Sequence, residues 1–109
     1  MLENEVMKKI NIAISGCLGR MGQQLIKSSK KDNIFKIVAV TENKIIKRKI
    51  LGYEPKVNSE ETFRNADVII DFTTPKCTFE LLKIASKLKK KLVIGTTGFS
   101  PKEEKMIRN

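Results

Sequence analysis

Seven consecutive residues, Gly16-Cys17-Leu18-Gly19-Arg20-Met21-Gly22, place three glycines at threefold spacing beside a basic side chain. They follow the apolar, β-branched run Ile10 to Ser15 and precede QQLIKSSK, a stretch with the propensity and length of a helix. A glycine loop at such a strand-to-helix junction can hold a pyrophosphate. The first glycine permits the tight turn, the next lets the backbone approach the anion, and the last allows helix and strand to pack closely. The helix N-terminus adds free N–H groups and partial positive charge. The spacing is GxxGxxG rather than GxGxxG, and a plain connecting loop is the alternative use of the same residues.

A second chemical signal is Glu42, about 20 residues after Gly22 at the end of the next β-rich run. An acid there accepts hydrogen bonds from adenosine ribose hydroxyls, which favours NADH. Lys44, Lys47, Arg48 and Lys49 follow closely, and any one of them can meet the 2′-phosphate of NADPH; a set of solvated surface charges is the alternative. Two more segments, Asp71-Phe72-Thr73-Thr74-Pro75 and Gly95-Thr96-Thr97-Gly98-Phe99, fall at the carboxyl ends of expected strands, where open α/β sheets place ligands. Their glycine and hydroxyl residues let backbone reach a nicotinamide carboxamide, and Phe72 can support a ring; simple strand-exit turns are the competing use. Cys17 and Cys77 stand in no metal-ligand or redox spacing, and without any histidine a nucleophilic thiol lacks a local base. No metal site and no catalytic residue is expected, and both cysteines are expected to be reduced thiols of a cytoplasmic protein.

The elements that must position these residues alternate. Ile10 to Ser15 reads as a central strand, QQLIKSSK after Gly22 as a helix, and Phe35 to Val40 as a second strand. Asn43 to Gly52 fits either a short helix or a basic loop. A short edge strand at Lys56 to Asn58 leads into a brief helix ending near Asn65, with Asn58 and Glu61 in capping-box spacing. Val68 to Phe72 is apolar enough to be buried on both faces. A helix from about Lys76 to Lys90 presents Phe79, Leu82 and Ile84 to Leu88 as its apolar stripe, ahead of a buried strand at Leu92 to Ile94. Ser100, Pro101 and Glu103 start a last helix. This order predicts an α/β fold, a Rossmann-like doubly wound parallel sheet in one domain over residues 9–109, with residues 1–8 as a flexible tail. The last helix stops after MIRN without a glycine cap, so the chain is expected to be truncated before a further domain.

At 109 residues the chain suits a single domain with a real core, and no apolar run approaches a membrane span. The net charge of +10 favours anionic partners without choosing among them. Many lysines occupy helix faces or helix ends, as Lys83, Lys87 and Lys89 to Lys91 do. A nucleic-acid target is disfavoured by only six aromatic residues, no RNP-like pair and no zinc ligands. A stand-alone NAD(P)-binding or redox-sensing module is the other reading of so short a chain.

Four pieces in order, ISGCLGRMG at Ile14 to Gly22, Glu42, VIIDFTTP at Val68 to Pro75 and VIGTTGFS at Val93 to Ser100, resemble the N-terminal domain of bacterial dihydrodipicolinate reductases, and the match spans nearly the whole chain. The resemblance implies that Gly16, Cys17, Leu18, Gly19, Arg20 and Met21 wrap the pyrophosphate of NADH or NADPH, with Arg20 facing the phosphates. It implies Glu42 at the adenine ribose, and Phe72, Thr73, Gly95, Thr96 and Thr97 toward the nicotinamide. Asn43 stands where family members often carry a basic residue, so preference between the two cofactors stays open. The reaction implied is hydride transfer to the dihydrodipicolinate ring in diaminopimelate and lysine biosynthesis. The family's second domain carries the His-rich and Ser-Gly-Thr substrate motifs, the lysine proton donor and the tetramer interface, and this sequence has no counterpart of them. A monomer that holds cofactor without turnover is the resulting expectation.

Overall fold

A computed structural model describes residues 9–108; the tail predicted at residues 1–8 lies outside them. Among the described residues nine elements follow one another: β1 (Ile10–Ser15), α1 (Arg20–Lys30), β2 (Phe35–Glu42), β3 (Lys56–Val57), α2 (Glu60–Phe63), β4 (Val68–Asp71), α3 (Pro75–Leu88), β5 (Lys91–Ile94) and α4 (Pro101–Arg108). The strands form one sheet in the order β3-β2-β1-β4-β5, and every neighbouring pair is parallel. Parallel neighbours need crossover connections: α1 joins β1 to β2 and α3 joins β4 to β5, while the loop of residues 43–55 joins β2 to β3.

Side chains alternate across the sheet and fill two cores. Ile12, Ile14 and Val40 pack with Ile26 of α1 on one face. Ala13, Ala39 and Ile69 pack with Phe63 of α2 and Leu81 and Ala85 of α3 on the other. Ile26 and Leu81 are wholly buried, and each contributes roughly 1.5–3 kcal/mol by leaving water, which holds α1 and α3 on opposite faces. The small residues Ala13 and Ala39 lie on the face that carries two helices. The β1–β2 register shifts between Ile12 and Ala13, because Val38 is an extra residue: Ile12 pairs with Ile37 and Ala13 with Ala39.

Several expected boundaries differ. α1 begins at Arg20 with Gly19 as N-cap, so Gly22 lies inside its first turn rather than ahead of the helix. The cap of α2 is Ser59, whose hydroxyl accepts from the Thr62 amide; the predicted Asn58–Glu61 box is one residue out of register, and α2 ends at Phe63. Asn58 instead bonds Ser15 and Cys77, so its side chain is committed elsewhere. On α3 the buried residues are Cys77, Thr78, Leu81 and Ala85, not a stripe through Phe79 and Leu82; Phe79 packs edge-on against Phe99 at 6.2 Å. β4 and β5 are less buried than their apolar runs predict. Val68 and Ile70 are half-buried and Val93 is 55% exposed, since β5 is an edge strand. Asn43 to Gly52 is turn and loop, closed by an antiparallel bridge between Ile50 and Tyr53.

Candidate functional site

Strands β1 and β4 are neighbours at the centre of the sheet, and the chain leaves them toward opposite edges. Their outgoing loops therefore diverge and open a crevice at the carboxyl ends of the strands. A cleft of about 200 Å³ lies there, between Gly16 and Gly19 on one side and Phe72, Thr73, Thr74 and Cys77 on the other, with Glu42 and Asn43 at the end of β2. Six of the residues expected to bind cofactor, Gly16, Gly19, Glu42, Asn43, Phe72 and Thr73, line this one cleft.

The glycine loop is built by hydrogen bonds to its neighbours. The Gly16 and Cys17 amides both donate to the Thr41 carbonyl, at 3.0 and 3.2 Å, and the Gly19 amide donates to the Gly16 carbonyl at 3.1 Å. Gly16 adopts φ +92°, and a Cβ there would lie 2.2 Å from the Phe72 carbonyl oxygen, so both conformation and space require glycine. At Gly19 the nearest atom to a Cβ is 3.5 Å away, which is ordinary contact. Nothing in the fold demands glycine at Gly19, which borders the cleft. Beyond it, the amides of Arg20, Met21 and Gly22 open α1 with no acceptor among the described residues, and none of those residues' side chains caps this end. Arg20 and Met21 are exposed. The side chains of Cys17 and Leu18 turn away from the cleft into the core around Ile26. Burial and the nearby Glu42 push the Cys17 thiol up to about 11, with its own amide and Arg48 opposing. It is protonated and unreactive at neutral pH.

Glu42 is half-buried, and its Oε2 accepts from the Leu18 amide at 2.8 Å. The acid at the end of β2 is thereby tied to the glycine loop. Below it, the buried Thr41 hydroxyl has no partner among the described residues.

The opposite wall depends on Asp71, which is fully buried at the end of β4. One carboxyl oxygen accepts from the Thr73 amide at 3.0 Å and from the Thr73 hydroxyl, and the other accepts from the Thr78 hydroxyl of α3. The Thr73 amide also donates to the Thr96 hydroxyl at 2.8 Å, and the Gly95 amide donates to the Asp71 carbonyl at 2.7 Å. Gly95 lies against the Phe72 ring, where a Cβ would meet Cε1 at 2.1 Å. The two strand-exit loops form one connected unit. Thr96 is a buried member of it, whereas Thr97 is exposed.

Three residues of this wall lie outside the expected cofactor-binding set, although two of them belong to the segment Asp71 to Pro75 singled out at a strand end. Asp71 is its organising acid, and the available signal was an acid in an otherwise apolar strand. Cys77, which stands in no metal-ligand or redox spacing, lines the cleft although it is 4% exposed; burial first, then Asp71 and Glu80, raise its thiol above the ordinary value, against hydrogen bonds from Thr73 and Asn58. Thr74 both lines the cleft and caps α3 by accepting from the Cys77 amide.

A doubly wound parallel sheet, with a glycine loop and a strand-end acid meeting at its switch point, defines the dinucleotide-binding class of α/β domains. The family model described as "Dihydrodipicolinate reductase, N-terminus" matches residues 10–109. The chain belongs to the dihydrodipicolinate reductase family and corresponds to its N-terminal part. It is 68% identical over 102 residues to the 4-hydroxy-tetrahydrodipicolinate reductase of Pelagibacter ubique, covering 94% of this chain and 40% of that protein. The enzyme of the same name from Buchnera aphidicola subsp. Cinara cedri is 38% identical over 113 residues, covering 93% of this chain and 41% of that one. Among solved structures, a dipicolinate-bound dihydrodipicolinate reductase from Paenisporosarcina sp. TG-14 superposes with a TM-score of 0.72 at 27% identity, over 91% of this chain and 42% of that chain. The chain thus spans about two fifths of the length of the curated relatives it matches. Among the described residues no helix is long and apolar enough to cross a membrane.

Proposed function

We propose that this chain is the cofactor-holding part of a 4-hydroxy-tetrahydrodipicolinate reductase, acting in the cytoplasm, and that its cleft binds NADH or NADPH. The observation that carries this reading is the open face of the glycine loop. Gly19 leaves space above the backbone, and the next amides, of Arg20 and Met21, open α1 with no acceptor among the described residues. A pyrophosphate fits that donor set, since it brings negative charge to a helix N-terminus. Arg20 supplies a guanidinium beside it. Glu42 keeps Oε1 for the adenosine ribose hydroxyls while Oε2 stays on Leu18. Phe72 and Thr73 line the same cleft, and with the Gly95-Thr96-Thr97 segment, which Thr73 bonds at Thr96, they are assigned to the nicotinamide end.

When bound, the cofactor supplies the hydride for reduction of the substrate ring. The chain's own residues bind and orient. Asp71 holds Thr73 against Thr96, which keeps both loops of the nicotinamide end in one register. Nothing in the cleft is arranged as a general acid, so turnover belongs with the part of the family's fold that this sequence does not match.

Calorimetric titration of the chain with NADH, and separately with NADPH, tests the reading. Saturable binding at one site is expected. A folded chain that binds neither nucleotide overturns it.

A further inference from the structure

Strand β3 is two residues long, both exposed, and it pairs only with Thr41 and Glu42 at the end of β2. So short a strand adds little to the sheet, but the residue that leaves it, Asn58, is half-buried and does not line the cleft. Its Oδ1 accepts from the Ser15 hydroxyl at 3.1 Å, and its Nδ2 donates to the Cys77 sulfur at 3.3 Å. Both partners are buried, and they belong to opposite walls. Ser15 ends β1 immediately before Gly16, where the glycine loop starts, whereas Cys77 lies in the first turn of α3 and lines the facing wall.

Ser15 stands beside Thr41 in the β1–β2 register, yet its hydroxyl turns to Asn58, while the Thr41 hydroxyl stays buried with no partner among the described residues. The Asn side chain presents an acceptor and a donor from one short planar group, so the spacing between Ser15 and Cys77 is fixed through it. The Asp71 network ties Thr73 to Thr78 and holds the second wall together. Main-chain bonds join β1 to β4 as far as Ser15 and Phe72. Asn58 carries the connection on from β1 to α3.

We propose that Asn58 is a positioning residue of the cofactor cleft, which sets the separation of the glycine loop from the first turn of α3 without touching the nucleotide. The inference rests on the cofactor reading above and adds to it a residue that acts only through Ser15 and Cys77. Loss of the amide lets the two walls shift relative to one another, and a dinucleotide that must meet both then binds a less preorganised site.

The test measures NADH and NADPH affinities of the 109-residue chain and of Asn58→Ala, Asn58→Asp and Ser59→Ala, with urea melts of each. Ser59→Ala controls for stability alone, because it removes the cap of α2 one residue away and touches neither wall. Asn58→Ala is expected to weaken both nucleotides about tenfold, the order of one net hydrogen bond, and by the same factor, since Asn58 meets no part of the nucleotide. Asn58→Asp keeps the acceptor for Ser15 and loses the donor to Cys77, so its affinity should fall between. Ser59→Ala should destabilise the chain but change affinity less than about twofold. In a Cys77→Ala background, where one tie is already gone, Asn58→Ala should cost less affinity than in the unaltered chain. Unchanged NADH affinity in folded Asn58→Ala overturns the assignment, as does an equal loss in Ser59→Ala or full additivity with Cys77→Ala. Should Asn58→Ala fail to fold, Asn58→Asp decides in its place, and affinity equal to that of the unaltered chain overturns the role. Normal binding with an indifferent Asn58 leaves the cofactor reading intact, whereas failure of the unaltered chain to bind either nucleotide removes that reading and this role together.

Discussion

Gly22 packs so closely on Gly16 that a Cβ on Gly22 would lie 2.1 Å from the Gly16 carbonyl oxygen, an approach that brings the first turn of α1 down onto the loop leaving β1. Gly19, midway between them, has only ordinary contact at 3.5 Å. The three glycines thus do different jobs: Gly16 and Gly22 serve the fold, and Gly19 serves whatever approaches from the cleft.

Gly19→Ala separates these jobs. It should alter stability by no more than about 1 kcal/mol, as expected for a change at an uncrowded N-cap, yet weaken NADH binding at least about tenfold by placing a methyl group where the pyrophosphate comes closest. Gly22→Ala should cost at least about 2 kcal/mol, because backbone must move. Urea melts beside NADH titrations check both. Equal destabilisation by the two variants would contradict the division of roles.

Removal of the Asp71 carboxyl leaves the Thr78 hydroxyl buried without its acceptor and frees Thr73. Asp71→Ala is expected to cost on the order of 2–4 kcal/mol. Hydrogen exchange of the Thr73 amide should accelerate more than that of residues on the α1 face, and uniform acceleration would mean that Asp71 does not organise the loops.

Lys89 closes α3 in the left-handed region, at φ 57°, with the Lys90 amide donating to the Ala85 carbonyl. A side chain there is strained, so Lys89→Gly should stabilise the chain by about 0.5–1 kcal/mol. A higher melting temperature with unchanged NADH affinity is the expected pair of results.

The buried Cys17 thiol makes stability fall at alkaline pH. Its value of about 11 in the fold exceeds the ordinary 9.0, so between these pH values the unfolded chain loses a proton that the folded chain keeps. The contribution is complete below pH 9.0 and disappears as pH rises through about 11. Cys17→Ala should flatten the fall in stability between pH 9.0 and 11 by roughly 2 kcal/mol, measured by denaturant melts across that range. Iodoacetamide should leave folded Cys17 unmodified at pH 8, where an unfolded chain reacts.

Much of the architecture was legible because its signals are local. The β-branched runs at Ile10 to Ser15 and Val68 to Ile70 and the glycine loop each announce an element within a few residues, whereas the cap of α3 at Thr74 was read only as the end of a strand. Boundaries were less legible. Ser59 outcompetes Asn58 as the cap of α2 because Asn58 is drawn to Ser15 and Cys77, 43 and 19 residues away. The exposure of Val93 was hidden for a related reason, since an apolar run shows how buried a strand would prefer to be and not whether it lies at a sheet edge.

The sequence by itself determined the parallel α/β order and carried the motifs on which the proposed class of ligand rests, because strand and helix periods and a glycine loop between them are properties of short stretches of chain. Only the tertiary structure decided which atoms serve the cleft. It tied Glu42 to Leu18 across 24 residues, joined Thr73 to Thr96 across 23, and turned the side chain of Cys17 into the core while leaving the Arg20 and Met21 amides without an acceptor among the described residues. Those contacts depend on strand order, on the register shift at Val38 and on how closely α1 can approach Gly16, and packing sets these only when distant segments meet.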